Sequence, residues 1–146
     1  MKVVIVGGGW AGSGAAMAAK NAGADEVVVL ERTDLLLGTG LVGGIMRNNG
    51  RFTATEEAIA MGANEIFETI DANCRHKNIN FPGHEHASLY DIALIEPAIH
   101  NMLLNKGIEV KMQARMKDVK MDGQKITAVV LTDGQEITGD VFLDCT

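Results

Sequence analysis

The chain opens on Lys2 to Val6 (KVVIV), apolar and β-branched after its first position, which predicts a buried strand. Small, helix-compatible residues run from Ala11 to Ala22 (AGSGAAMAAKNA), and Gly23 is placed to end that helix. Val27 to Leu30 (VVVL) predicts a second strand, tipped by Glu31 and Arg32. Strand, helix and strand within about 30 residues predict a βαβ unit with parallel strands and a right-handed crossover.

Beyond it the pattern loosens. Thr33 to Arg51 is Gly-rich and aperiodic, and predicts loop with a short helix. Thr53 and Glu56 have capping-box spacing and predict an amphipathic helix to about Asn73, with Ala58, Met61, Ile66 and Ile70 near one face. Residues 74–88 (CRHKNINFPGHEHAS) are polar and predict a loop. Asp91 predicts the cap of a helix that runs to Lys106 and stops at Gly107; Pro97 either kinks it or lies in its first turn. The period then changes to two. Val110, Met112, Ala114 and Met116 alternate with polar neighbours, and Asp122-Gly123 and Asp133-Gly134 are hairpin signals. Residues 109–139 therefore predict a strand feeding a three-stranded meander, and GDVFLDCT a final buried strand.

Composition narrows the function. The length suits one domain. Of 146 residues 17 are glycine, mostly among the first fifty, so the excess is local architecture. A net charge of −6 disfavours nucleic acid or an anionic membrane as partner. Cys74 and Cys145 make no disulfide framework. No apolar run is long enough to span a bilayer, and the start does not read as a signal peptide, so the expected location is the cytoplasm.

Gly7-Gly8-Gly9-Trp10-Ala11-Gly12 satisfies G-x-G-x-x-G between a strand and a helix, the context that motif requires. Gly7 allows the tight turn, Gly9 lets a pyrophosphate approach the backbone, and Gly12 lets helix and strand pack closely. The helix N-terminus presents free N–H groups and partial positive charge, so an acidic chain can hold an anion without a lysine cluster. Glu31, 19 residues after Gly12, is placed to accept hydrogen bonds from an adenosine ribose and would repel a 2′-phosphate. Together these features predict dinucleotide binding.

The meander separates flavin from nicotinamide domains, which usually continue with helical crossovers. In VVIVGGGWAGSGAA, VVVLER, LLGTGLVGG and the stretch from Gly107 to Thr146, the chain resembles FAD-dependent oxidoreductases with a glutathione-reductase-type Rossmann domain, near fumarate-reductase and heterodisulfide-reductase-like flavoproteins. The resemblance implies an α/β fold: a Rossmann-like FAD-binding domain over residues 1–146, with a parallel sheet and a three-stranded β-meander, incomplete within this chain. It implies that Gly7, Gly9 and Gly12 hold the FAD pyrophosphate, with Trp10 and Ala11 also at the cofactor, and that Glu31, with Arg32 beside it, takes the ribose. Gly38, Thr39 and Gly40 resemble the second glycine-rich segment along the cofactor, and Met116 would offer backbone to the adenine. Thr146 matches a strand-tip threonine that in the family leads into glycine and an acid. A second polypeptide is therefore expected to complete the FAD fold in a hetero-oligomer and carry the substrate domain. A separate subunit, a cleaved precursor and a truncated chain all stay open.

Other residues carry weaker signals. His84-Glu85-His86 lacks a third ligand nearby and reads as solvated loop, so no metal is expected. His100 reads as structural, and His76 as a cation at a helix end. Cys145 would lie near the flavin but has no partner thiol, and reads as a small buried hydrophobe. The methionines read as core filler. No residue stands out as a catalytic acid or base. The expected activity is hydride or electron transfer between FAD and a small molecule. A non-catalytic NAD- or ADP-binding module and a fragment of an NAD-dependent dehydrogenase remain alternatives.

Overall fold

Val3 and Ile5 pack among helices while Val4 and Val6 pack against a β-meander, so the opening run is apolar throughout because both of its faces are covered. The computed structural model describes residues 1–45, 47–48 and 59–146. In chain order its elements are β1 (Lys2–Val6), α1 (Trp10–Asn21), β2 (Glu26–Leu30), β3 (Arg47–Asn48), α2 (Asn64–Ala72), β4 (Cys74–Phe81), β5 (His84–Tyr90), α3 (Ile95–Asn105), β6 (Glu109–Lys111), β7 (Met116–Asp122), β8 (Lys125–Leu131), β9 (Glu136–Thr138) and β10 (Val141–Asp144).

The central sheet is parallel, in the order β10-β1-β2-β6. Val27 and Val29 face the helical layer, where Ala16, Met17, Ile66, Ile70, Ile99 and Leu103 are buried. Val28 and Leu30 face the antiparallel meander β7-β8-β9 and meet Val129, Leu131 and Ile137. The result is the predicted Rossmann-like α/β architecture, with the meander as its third layer. Helix α1 ends as its sequence predicts: Gly23 sits at φ +92°, its N–H donates to the Lys20 carbonyl, and the Ala24 N–H donates to the Ala19 carbonyl. Among the described residues no helix is long and apolar enough to cross a membrane.

Five expectations change. The polar stretch 74–88 is not a loop: β4 and β5 form a hairpin that β3 extends to a three-stranded sheet. Pro82-Gly83 makes its turn, with Gly83 at φ +82°. Exposed polar side chains and three register shifts between Cys74 and Phe81 hide the period of two. His76 consequently lies on a strand and not at a helix end, and His84 and His86 fall on β5.

The helix expected from Thr53 becomes a regular α-helix only at Asn64, because Gly62 at φ +101° breaks the turn before it; Thr53, Glu56 and Ala58 lie outside the described residues. Strand β6 stops at Lys111, because Gln113 turns the chain at φ +55° and ends the alternation through Met116. Met116 and Met121 are exposed, so they are not core filler, whereas Met17 is buried. Finally, β10 is a half-buried edge strand, since among the described residues only β1 pairs with it.

Pro97 lies in the first turn of α3, where its missing N–H costs nothing. Asp91 accepts from the Ala93 N–H through its side chain and from the Ile95 N–H through its carbonyl, so it organises the turn before the helix. His100 has its Nδ1 3.3 Å from Glu96 Oε1 one turn away on the same helix, a structural contact as expected.

Candidate functional site

The carboxyl-terminal tips of the parallel strands point to one side, and a cleft of about 740 Å³ lies at the tips of β1, β2 and β10. Ten of the twelve residues expected at a cofactor line it: Gly7, Gly9, Trp10, Ala11, Glu31, Arg32, Gly38, Thr39, Met116 and Thr146. Gly12 and Gly40 do not, and each has another duty. A Cβ on Gly12 would lie 1.8 Å from the Gly7 carbonyl oxygen, so Gly12 is what lets α1 sit on the tip of β1. A Cβ on Gly40 would lie 2.5 Å from the Tyr90 hydroxyl and 2.6 Å from Trp10 Nε1.

The phosphate loop divides its tasks by geometry. Gly7 turns the chain at φ +102°, a conformation that side chains rarely tolerate, and a Cβ there would meet the Cys145 carbonyl at 2.7 Å. Gly9 has ordinary extended backbone and nothing within 4 Å of where its Cβ would be. Its lack of a side chain serves the space in front of the loop and not the fold. Helix α1 has no side-chain cap and no acidic residue in its own first turn, so no side chain of that turn competes for its first N–H groups.

Glu31 is 5% exposed and accepts three hydrogen bonds from the protein itself. Gly8 N–H donates to Oε2 at 2.8 Å, and the N–H and hydroxyl of Thr33 donate to Oε1, both at 2.8 Å. A carboxylate offers about four acceptor positions, so one on Oε2 is left for a ligand hydroxyl. Glu31 thus locks the phosphate loop to the tip of β2, a role its place in the motif does not reveal.

The sequence reading missed Thr33, Leu37, Val42, Gly43, Ala114 and Arg115 as lining residues. Leu37 adopts φ +70°, and its N–H donates to the Gly8 carbonyl, which brings the segment from Gly38 to Gly43 to the loop. Ala114 and Arg115 arrive because Ala114 N–H donates to the Glu31 carbonyl and Gln113 N–H to that of Thr33. No local pattern marks these residues, since the contacts join the tips of different strands.

Cys145 is half-buried, and its N–H continues the ladder to the Val6 carbonyl. It also lines the cleft, so it is more than a core hydrophobe. Burial, with Asp144 next to it, pushes its thiol above the ordinary range. The thiolate fraction at pH 7 is correspondingly small. Iodoacetamide should therefore label Cys145 more slowly than an unhindered thiol at pH 7, with the rate still climbing above pH 9. Peptide mass spectrometry against time checks this, and rapid labelling at pH 7 would contradict it. Thr146 donates through its N–H and hydroxyl to Asp144 Oδ1, which holds that carboxyl below the ordinary range.

A sequence model of the FAD dependent oxidoreductase family matches residues 2–146. No curated protein matches the chain. Among solved structures, the Diels-Alderase PyrE3 of pyrroindomycin biosynthesis is similar at 22% identity and TM-score 0.67, over 99% of this chain and 32% of its own. THI4 of Thermovibrio ammonificans is similar at 20% identity and TM-score 0.67, over 99% of this chain and 57% of its own. The ferredoxin reductase of the CYP199A2 system from Rhodopseudomonas palustris is similar at 19% identity and TM-score 0.53, over 98% and 23%. The chain therefore spans less than a third of the first of these. At such identities the likeness is one of fold.

Proposed function

The chain belongs to the family of FAD-dependent oxidoreductases, whose cofactor is FAD, and on that premise we propose that it is the FAD-binding part of a flavoprotein that moves hydride or electrons to or from a small molecule. One observation carries the reading: Gly9 opens straight into a cleft laid across the strand tips, beside the start of a helix whose own first turn holds no acidic residue. The residues present fit the cofactor. Gly7, Gly9, Trp10 and Ala11 would hold the pyrophosphate at the start of α1. Glu31 would take one ribose hydroxyl, with Arg32 alongside, while Met116 would flank the adenine and Gly38, Thr39 and Thr146 the rest of the cofactor. Gly12 and Gly40 would act by shaping the cleft and not by touching the ligand. FAD, when bound, supplies the hydride and electron chemistry, and the protein supplies position and electrostatics.

The remaining FAD contacts and a substrate domain come, in this reading, from further polypeptide. Two observations support it: Val141 is 37% exposed on the open edge of the parallel sheet, and the chain spans 32% of the first similar structure. Mass spectrometry of the native assembly tests both halves at once. The expected result is a second polypeptide together with FAD. A chain that alone binds FAD and turns over substrate would overturn the partner role.

The cofactor assignment has its own test. The native protein should be yellow and release FAD, not FMN, on heating. Trp10, the sole tryptophan, lines the cleft, so its emission should fall on FAD binding. Unchanged emission with FAD bound would place the cofactor elsewhere.

A further inference from the structure

Tyr90 ends β5, in a sheet that gives the cleft no lining residue among those described. Its side chain nevertheless reaches two parts of the chain that do line it. The residue is 2% exposed, and its hydroxyl oxygen lies 3.0 Å from the Gly40 carbonyl and 3.0 Å from the Ile45 carbonyl. One O–H hydrogen is thus shared between both ends of the segment from Gly40 to Ile45. The Trp10 side chain also stands beside the same hydroxyl and works against the effect of burial on it. The two rings also meet edge to face, centroids 5.6 Å apart and planes at 68°.

The join leaves no slack. A Cβ on Gly40 would collide with the Tyr90 hydroxyl and the Trp10 nitrogen together, so glycine is required there by this contact and not by a ligand. Trp10 lines the cleft from the phosphate loop, and Thr39, Val42 and Gly43 line it from the segment after Leu37. A single buried hydroxyl therefore connects these two stretches of the lining. Burial keeps it protonated, so it stays a donor to the carbonyls.

We propose that Tyr90 is a positioning residue for the cofactor: it holds Trp10 and the segment from Gly38 to Ile45 at the spacing that FAD requires, and so makes FAD affinity depend on the β3-β5-β4 sheet. The inference rests on the FAD reading of the cleft. Without the hydroxyl, the segment must be ordered at the moment of binding, and that ordering comes out of the affinity.

The test compares wild type, Tyr90→Phe and Leu103→Ala in the full protein with its partner chain, by FAD titration well below the thermal midpoint. Tyr90→Phe should stay folded by circular dichroism, red-shift the Trp10 emission without FAD, and raise the FAD Kd about tenfold, the weight of one hydrogen bond. Leu103 is fully buried and away from the cleft lining, so Leu103→Ala should lower the midpoint while leaving Kd and Trp10 emission unchanged. A general loss of stability cannot produce that split. Gly40→Ala should repeat the Tyr90→Phe pattern, and if it does not fold, the Tyr90→Phe result decides. If wild type binds FAD and Tyr90→Phe binds it equally well, the Tyr90 proposal falls and the FAD reading stands. If wild type binds no FAD, both fall.

Discussion

Gly9→Val should abolish FAD binding, lowering affinity at least a hundredfold, while leaving the fold intact. Gly9 has φ −68° and ψ −173°, which any residue adopts, and nothing lies within 4 Å of the added Cβ. The expected cost to stability is only that of a poorer helix cap, about 1 kcal/mol. The branched side chain would instead fill the space where a pyrophosphate must approach the backbone. Gly12→Val is the contrasting variant. Its Cβ would lie 1.8 Å from the Gly7 oxygen, against backbone that cannot give way, so the chain should fail to fold. Circular dichroism melting and quenching of free FAD fluorescence separate the two outcomes. Gly9→Val binding FAD as wild type does would remove the phosphate loop from the site.

Glu31→Ala should destabilise the protein without any cofactor, by about 3 kcal/mol, because three donors lose a charged acceptor worth roughly 1.5–3 kcal/mol each, and these losses do not add fully. For a chain of this size that is on the order of 10 °C in thermal midpoint. FAD affinity should fall too, by about ten- to a hundredfold, as the ribose loses its acceptor. Glu31→Gln should fall between, since its amide oxygen can still serve Thr33 while its NH₂ turns toward the Gly8 N–H. The decisive measurement is the midpoint of the cofactor-free protein. If it does not move, the internal bonds of Glu31 contribute little, and the residue acts on the ligand alone.

The two variants mark where sequence and structure part. The motif gives Gly9 and Glu31 to the cofactor and Gly12 to helix packing, and the family resemblance places Gly12 at the cofactor as well. The structure leaves Gly9 to the cleft, gives Gly12 to helix packing, and divides Glu31 between the loop and a ligand. The hairpin from Cys74 to Tyr90 was legible only in its Pro-Gly turn, since register shifts broke the alternation that would have announced two strands. Tyr90, which that hairpin delivers behind the cleft lining, could not be found from its neighbours in sequence.

What the sequence by itself determined is everything that repeats at short range. The first βαβ unit follows from KVVIV, the small-residue helix and VVVL; the end of α1 follows from Gly23; the meander follows from its two Asp-Gly turns. The phosphate loop was readable because its function lies in backbone conformation, and glycines at fixed spacing record that directly. Only the tertiary structure decided which residues from distant elements share the cleft. Ala114 and Arg115 reach it through hydrogen bonds to Glu31 and Thr33, and Gly40 meets Tyr90 across fifty residues of chain. Such contacts are set by how strand tips align and how sheets pack, and no local period encodes them.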